Sequence, residues 1–198
     1  MLKQPGKTRV DAVVVGASAG AIDALSVILP ALPASFAVPV IIVVHVPQNR
    51  ASLLVDLFTP KCQLPVREAE DKLAAAPGTI WFAPPGYHLL VEREHTFALS
   101  VDELVNHSRP SIDVLFESAA DAYGERLLTL VLTGANHDGA VGAARIQKAG
   151  GLVAVQDPKT AHMASMPEGA IARTKPDLIG SLPELAAYMV TQGTEVRT

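Results

Sequence analysis

Three short stretches of the chain are almost wholly β-branched or aliphatic: residues 10–15, 38–44 and 127–132. None alternates apolar with polar positions. A run of that length bounded by Gly or Pro suits a strand covered on both faces, as in a parallel sheet. Between them the spacing changes. Ile22, Leu25, Ile28 and Leu29 recur at helical intervals and are stopped by Pro30 and Pro33, which predicts a helix over 21–32. A helix over 51–58 and a short strand over 64–68 follow. Residues 79–102 carry short apolar runs separated by Pro84-Pro85-Gly86 and polar positions, the pattern of an antiparallel hairpin excursion.

Residues 106–111 read as a polar loop, with Pro110 at the first position of a helix that runs to Tyr123 and holds Asp113 in its opening turn. The third buried run ends in Thr133-Gly134-Ala135-Asn136-His137-Asp138-Gly139, residues that tolerate tight and left-handed turns. A helix over 140–149, a strand over 152–156, a helix over 167–172, a strand at 178–179 and a helix from Pro183 complete the alternation. Repeated strand and helix predict an α/β fold: a doubly wound, mostly parallel sheet between helices, with the hairpin excursion at about 79–102.

Composition narrows the class. The 198 residues are 49% hydrophobic, enough for one domain over 10–198 that buries about 70% of its unfolded surface, preceded by a tail over 1–9. Charged residues make up 18%, the net charge is −4 and basic residues do not cluster, so no nucleic-acid or anionic-membrane partner is expected. The single cysteine, Cys62, suits a reducing cytoplasm and an inert thiol. No stretch has the form of an export signal or a membrane span, so direct membrane insertion is not expected either. The histidines at 88, 95, 107, 137 and 162 lack ligand spacing, and no metal is expected.

Chemistry is suggested where the buried strands end. The first runs into Gly16-Ala17-Ser18-Ala19-Gly20, the second delivers His45, and the third leads to Asp138. In an open α/β sheet the ligand crevice lies beyond the carboxyl ends of the strands. A hydroxyl, an imidazole and a carboxylate there are the parts of nucleophilic acyl transfer. Each residue also has a plain structural explanation: Ser18 as a turn serine capping the next helix, His45 as a histidine bonded at the rim of the core, Asp138 as a helix cap. The glycine turn resembles a dinucleotide fingerprint, but Ser18 stands at the second glycine position and His45 where a ribose-binding acid is expected. The order Ser, His, Asp also differs from the α/β-hydrolase order.

Taken together, the motifs resemble the protein-glutamate methylesterase family of bacterial chemotaxis, the CheB catalytic domain. The resemblance is carried by Val15-Gly16-Ala17-Ser18, His45-Val46-Pro47, Ala83-Pro84-Pro85-Gly86-Tyr87-His88-Leu89 and the run from Arg109 to Phe116. It continues through Leu132-Thr133-Gly134, Asp138-Gly139-Ala140, Ala149-Gly150-Gly151, Gln156-Asp157 and Met166-Pro167. It implies a cofactor-independent hydrolase that demethylates γ-glutamyl methyl esters, and deamidates glutamines, on the cytoplasmic helices of chemoreceptors. On this resemblance Ser18 matches the nucleophile, His45 the general base and acid, and Asp138 the carboxylate that orients it. Arg109, Pro110 and Ser111 match a loop that receives the substrate helix, and the turns at Ala19 and Ala135 are candidate oxyanion donors.

The chain departs from the family pattern at Ala19, Gly20 and Ala21, where Thr and two glycines are usual, and at Ala135-Asn136, where Met-Gly is usual. No receiver domain is recognised before the catalytic part, so control by phosphorylation within this chain is not expected, and a separate regulatory protein is a candidate partner. A catalytically weak helix-binding signalling module and a generic small-ester hydrolase are the competing expectations.

Overall fold

The computed structural model describes residues 10–45 and 53–194. The expectations for the tail over 1–9, for Val46-Pro47, for the start of the helix over 51–58 and for residues 195–198 fall outside the described residues.

The centre of the molecule is strand β1 (Ala12–Ala17), every residue of which is buried. It pairs in parallel with β2 (Val40–Val44) on one side and with β7 (Leu127–Val131) on the other. Beyond β2 lie β4 (Ile80–Phe82) and β3 (Val66–Glu68), and beyond β7 lie β8 (Leu152–Gln156) and β9 (Leu178–Gly180). The sheet order is β3-β4-β2-β1-β7-β8-β9, all parallel. The chain leaves β1 toward β2 and later returns to β1 from the other side with β7, so the winding reverses at β1. In open α/β sheets such a reversal is where ligand crevices lie, here at the carboxyl ends of β1, β2 and β7.

The missing alternation in the strands has a direct cause. Val13, Val15, Val40, Ile42 and Leu130 pack into one core with α1 (Ala21–Ile28), α2 (Leu54–Phe58) and α6 (Leu182–Gly193). Their neighbours Ala12, Val14, Ile41, Val43 and Val131 pack into a second core under α3 (Ile112–Tyr123), α4 (Ala140–Lys148) and α5 (Ser165–Arg173). Both faces of each strand are dry, so both must be apolar.

The excursion is smaller than the sequence suggests. Only β5 (His88–Val91) and β6 (Phe97–Ser100) form an antiparallel pair. Ile80–Phe82, expected in the hairpin, pairs in parallel with β2 and β3 and belongs to the main sheet. Three consecutive buried apolar residues satisfy either setting, and the long-range partners decide. The hairpin lies over α3, with Val91 N–H donating to Ser118 Oγ at 3.1 Å and Trp81 meeting Phe97 edge-on at 5.2 Å.

Several boundaries shift by one to three residues, among them the strand expected over 64–68, which is Val66–Glu68, and the helix expected over 167–172, which is Ser165–Arg173; two shifts have a direct physical cause. The helix expected over 21–32 is α1 to Ile28, then one 3₁₀ turn over Leu29–Ala31, where Pro30 cannot continue the α-helical hydrogen bonding. The first helical residue of α3 is Ile112, with Ser111 at the N-cap, instead of Pro110. The N–H groups of Ile112 and Asp113 are taken by the carboxylate of Asp138.

Candidate active site

Ser18 is the first residue after β1. Its N–H donates to Thr133 O at 2.9 Å, and its own carbonyl accepts from Ala21 N–H at 2.9 Å. The turn between them needs glycine at position 20, where φ is +84° and a Cβ would come within 2.7 Å of His162 Cβ. Gly16 serves a different end. It lies within β1, and a Cβ there would approach Ile112 Cγ2 to 2.4 Å, so its absence lets the start of α3 settle onto the strand.

His45 follows β2, its N–H reaching Ala17 O at 3.3 Å. Its ring bridges the other two candidates. Nδ1 stands 3.1 Å from Ser18 Oγ, and Nε2 stands 2.8 Å from Asp138 Oδ2. The side chain of His45 is 13% exposed and that of Asp138 is wholly buried. Burial favours the neutral carboxyl of Asp138, but hydrogen bonds from His45, Ile112, Asn106 and Asp113 outweigh it and hold the pKa down at about 2. An ionised Asp138 requires the hydrogen of a neutral imidazole on Nε2, which leaves the Nδ1 lone pair facing Ser18.

The carboxylate is fixed from every side. Oδ2 accepts from His45 and from Ile112 N–H at 2.7 Å. Oδ1 accepts from Asn106 Nδ2 at 2.8 Å, Ser111 Oγ at 2.9 Å, Asp113 N–H at 3.0 Å and Gly139 N–H at 3.1 Å. Asp138 does cap a helix, as its plain explanation held, but the helix is α3 and not the α4 that follows it. The cap and the contact to His45 use the same carboxylate, and the positive end of α3 adds to its stabilisation as an anion.

The loop expected to receive substrate divides. Ser111 is wholly buried, bonded to Asp138 through Oγ, and its N–H donates to His88 Nδ1 at 3.2 Å. His88, itself buried, donates from Nε2 to Glu103 O at 2.9 Å and so holds both ends of the segment 103–111. Pro110 is buried as well. Arg109 is partly exposed, and its Nη1 donates to the carbonyls of Val101 and Asp102 at 2.6 and 2.8 Å.

Ala19 and Ala135 lie on the turns after β1 and β7, and neither N–H donates to another described residue. Thr133 joins these turns: its hydroxyl donates to Ala19 O at 2.8 Å and accepts from Met163 N–H at 2.9 Å. Asn136, one of the departures from the family pattern, accepts from Asp138 N–H at 3.1 Å and braces the turn that carries the carboxylate. Sequence reasoning missed Asn106, whose one signal was its place in a polar loop. Among the described residues no three acidic, histidine or cysteine side chains gather to hold a metal, and no helix is long and apolar enough to cross a membrane.

A doubly wound parallel sheet with a serine, a histidine and a buried aspartate in hydrogen-bonded series at its switch point is the architecture of a serine-type hydrolase. The chain belongs to the CheB methylesterase family, which it matches over residues 13–189. A Leptospira interrogans protein, provisionally named protein-glutamate methylesterase/protein-glutamine glutaminase, is 44% identical over 180 residues, covering 91% of this chain and 93% of its own. Protein-glutamate methylesterase/protein-glutamine glutaminase 1 of Xanthomonas oryzae pv. oryzae is 36% identical over 183 residues, which are 91% of this chain and 52% of that one. The crystal structure of the Thermotoga maritima CheB methylesterase catalytic domain superposes with a TM-score of 0.88 at 29% identity, covering 92% of this chain and 98% of the other.

Proposed function

We propose that the protein is a protein-glutamate methylesterase that hydrolyses γ-glutamyl methyl esters on the cytoplasmic helices of chemoreceptors and deamidates glutamines at such sites. The observation that carries this reading is the position of His45 between Ser18 and Asp138, at 3.1 and 2.8 Å. Ser18 Oγ attacks the ester carbonyl while His45 Nδ1 takes its proton. The tetrahedral intermediate collapses as the imidazolium returns that proton to the departing methoxide, releasing methanol and leaving the glutamyl group on Ser18. Water deprotonated by His45 then attacks the acyl group, freeing the glutamate and restoring the Ser18 hydroxyl. A glutamine follows the same course with ammonia as the leaving group.

Asp138 keeps the imidazole in the tautomer this sequence needs and stabilises the imidazolium between the two transfers. The N–H groups of Ala19 and Ala135 are the proposed oxyanion donors. A backbone N–H is indifferent to the side chain it bears, so the departures at these positions leave the donors in place. Arg109, on the exposed part of its loop, is the proposed contact for the receptor helix, with Pro110 and Ser111 supporting it from within. A substrate on the cytoplasmic helices of receptors supports a cytoplasmic location as part of this proposal. Incubation with methylated receptor should release methanol, and Ser18→Ala should abolish the release. Equal turnover by the variant would overturn the assignment, and activity on short acyl esters alone would point to a generic esterase.

A further inference from the structure

Two carboxylates lie buried beside the nucleophile's partner, and one exposed turn serves both. Asn106 stands in the turn between Val105 and Ser108, with its backbone in the left-handed region at φ +51°. Its side-chain amide enters the protein, and Nδ2 donates one hydrogen to Asp138 Oδ1 at 2.8 Å and the other to Asp113 Oδ2 at 2.9 Å. Both acceptors are carboxylate oxygens, so the amide has one sensible orientation. Asp113 in turn accepts Gly142 N–H, in the first turn of α4, at 2.7 Å through Oδ1. One amide therefore ties the loop over 103–111, the opening turns of α3 and α4, and the carboxylate behind His45.

We infer that Asn106 is a positioning residue that latches this loop to Asp138 and so sets the orientation of the carboxylate toward His45; the inference rests on the methylesterase reading above. Geometry supports it in two ways. Oδ2 of Asp138 must face His45, and that rotation is held by Ile112 N–H on Oδ2 and by the donors on Oδ1, of which Asn106 is the one that comes from the exposed loop. Asp113 and Asp138 also repel each other, and an amide shared between them offsets that repulsion where two carboxylates would otherwise drive each other apart. Asn is suited to the task because it combines tolerance of positive φ with a donor that reaches inward.

The test compares Asn106→Gly with His107→Gly. Both positions have positive φ, at +51° and +61°, so glycine loosens the same turn in each case and only the first variant removes the amide. Asn106→Gly should lower kcat about tenfold to a hundredfold at nearly unchanged KM, the scale of a lost hydrogen bond to a charged group. The downfield proton resonance of His45 Nε2–H should move or broaden in this variant and stay in place in His107→Gly. If the two variants match in kcat and in that resonance, the inference fails. A rise in KM alone would also overturn it, because Asn106 would then be touching substrate. A resonance that moves in a protein without methylesterase activity would keep the latch and reject the proposed function.

Discussion

The oxygen of Asp138 that accepts from His45 Nε2 at 2.8 Å also accepts the N–H of Ile112, the first residue of α3, at 2.7 Å. Reactive geometry and helix capping are thus one interaction. A change that frees α3 releases the carboxylate, and a change in the carboxylate uncaps α3.

Acid stability follows from this arrangement. The folded pKa of Asp138 is lowered from its ordinary 3.8 to about 2, so the group adds stability that is fully present above pH 4 and is lost as pH falls through 2, an effect of roughly 2 kcal/mol. Asp113 works with the opposite sign, since burial, reinforced by the charge of Asp138, raises its pKa against the bonds it accepts from Gly142 and Asn106. Its contribution is present at low pH and lost as pH rises through the carboxylate range, which reduces the net slope. Urea denaturation at pH 5, 4, 3 and 2 should show Asp138→Asn less stable than wild type at pH 5, with the gap closing toward pH 2. Parallel curves would contradict it.

Gly16→Ala should weaken both stability and turnover. The added methyl meets Ile112 Cγ2 at 2.4 Å and Phe116 Cζ at 3.1 Å, and overpacking of this kind costs about 1–3 kcal/mol. Because the push falls on the first residue of α3, activity should drop more than the loss of folded protein explains. Adding Ile112→Ala should recover part of the activity by removing the clash, which a double-mutant cycle of thermal midpoints and kcat would measure.

Thr133→Val tests the tie between the two turns. The isosteric change deprives Ala19 O of a donor and Met163 N–H of an acceptor, with an expected stability loss of about 1–3 kcal/mol. The rate at which a fluorophosphonate labels Ser18 should fall in the same variant. An unchanged rate would mean that the position of Ala19 does not depend on Thr133.

Thr129→Val should act in the other direction. Thr129 is wholly buried in β7, and its hydroxyl meets no hydrogen-bond partner among the described residues. Exchange for a methyl group removes an unmatched polar atom without altering volume, for a gain of about 1 kcal/mol. Thermal unfolding should show a higher midpoint with kcat unaltered.

How far the sequence anticipates this structure depends on the range of the interactions involved. Strands such as β1, β2 and β7 are legible because both faces are buried along their length, and that requirement is written residue by residue. Ser18, His45 and Asp138 are legible as a group because each follows such a strand, and the ends of parallel strands share one edge. Strand β4 is ambiguous because Ile80, Trp81 and Phe82 fit a hairpin as well as a parallel sheet, and only pairing with Ile42 and Glu68 separates the two. Asn106 lies 32 positions from Asp138 on an exposed turn, where no periodicity marks a side chain that reaches inward. Ser111 illustrates the same limit, since its place in a motif beside the site says nothing of whether it faces substrate or the carboxylate.

Whether Ser18 carries the substrate's acyl group can be read by intact-mass spectrometry of the protein quenched in acid during turnover of a methylated receptor peptide. One covalent adduct is expected, equal in mass to the peptide less methanol, located on Ser18 and absent from Ser18→Ala. Steady release of methanol with no adduct, and undiminished in Ser18→Ala, would contradict it.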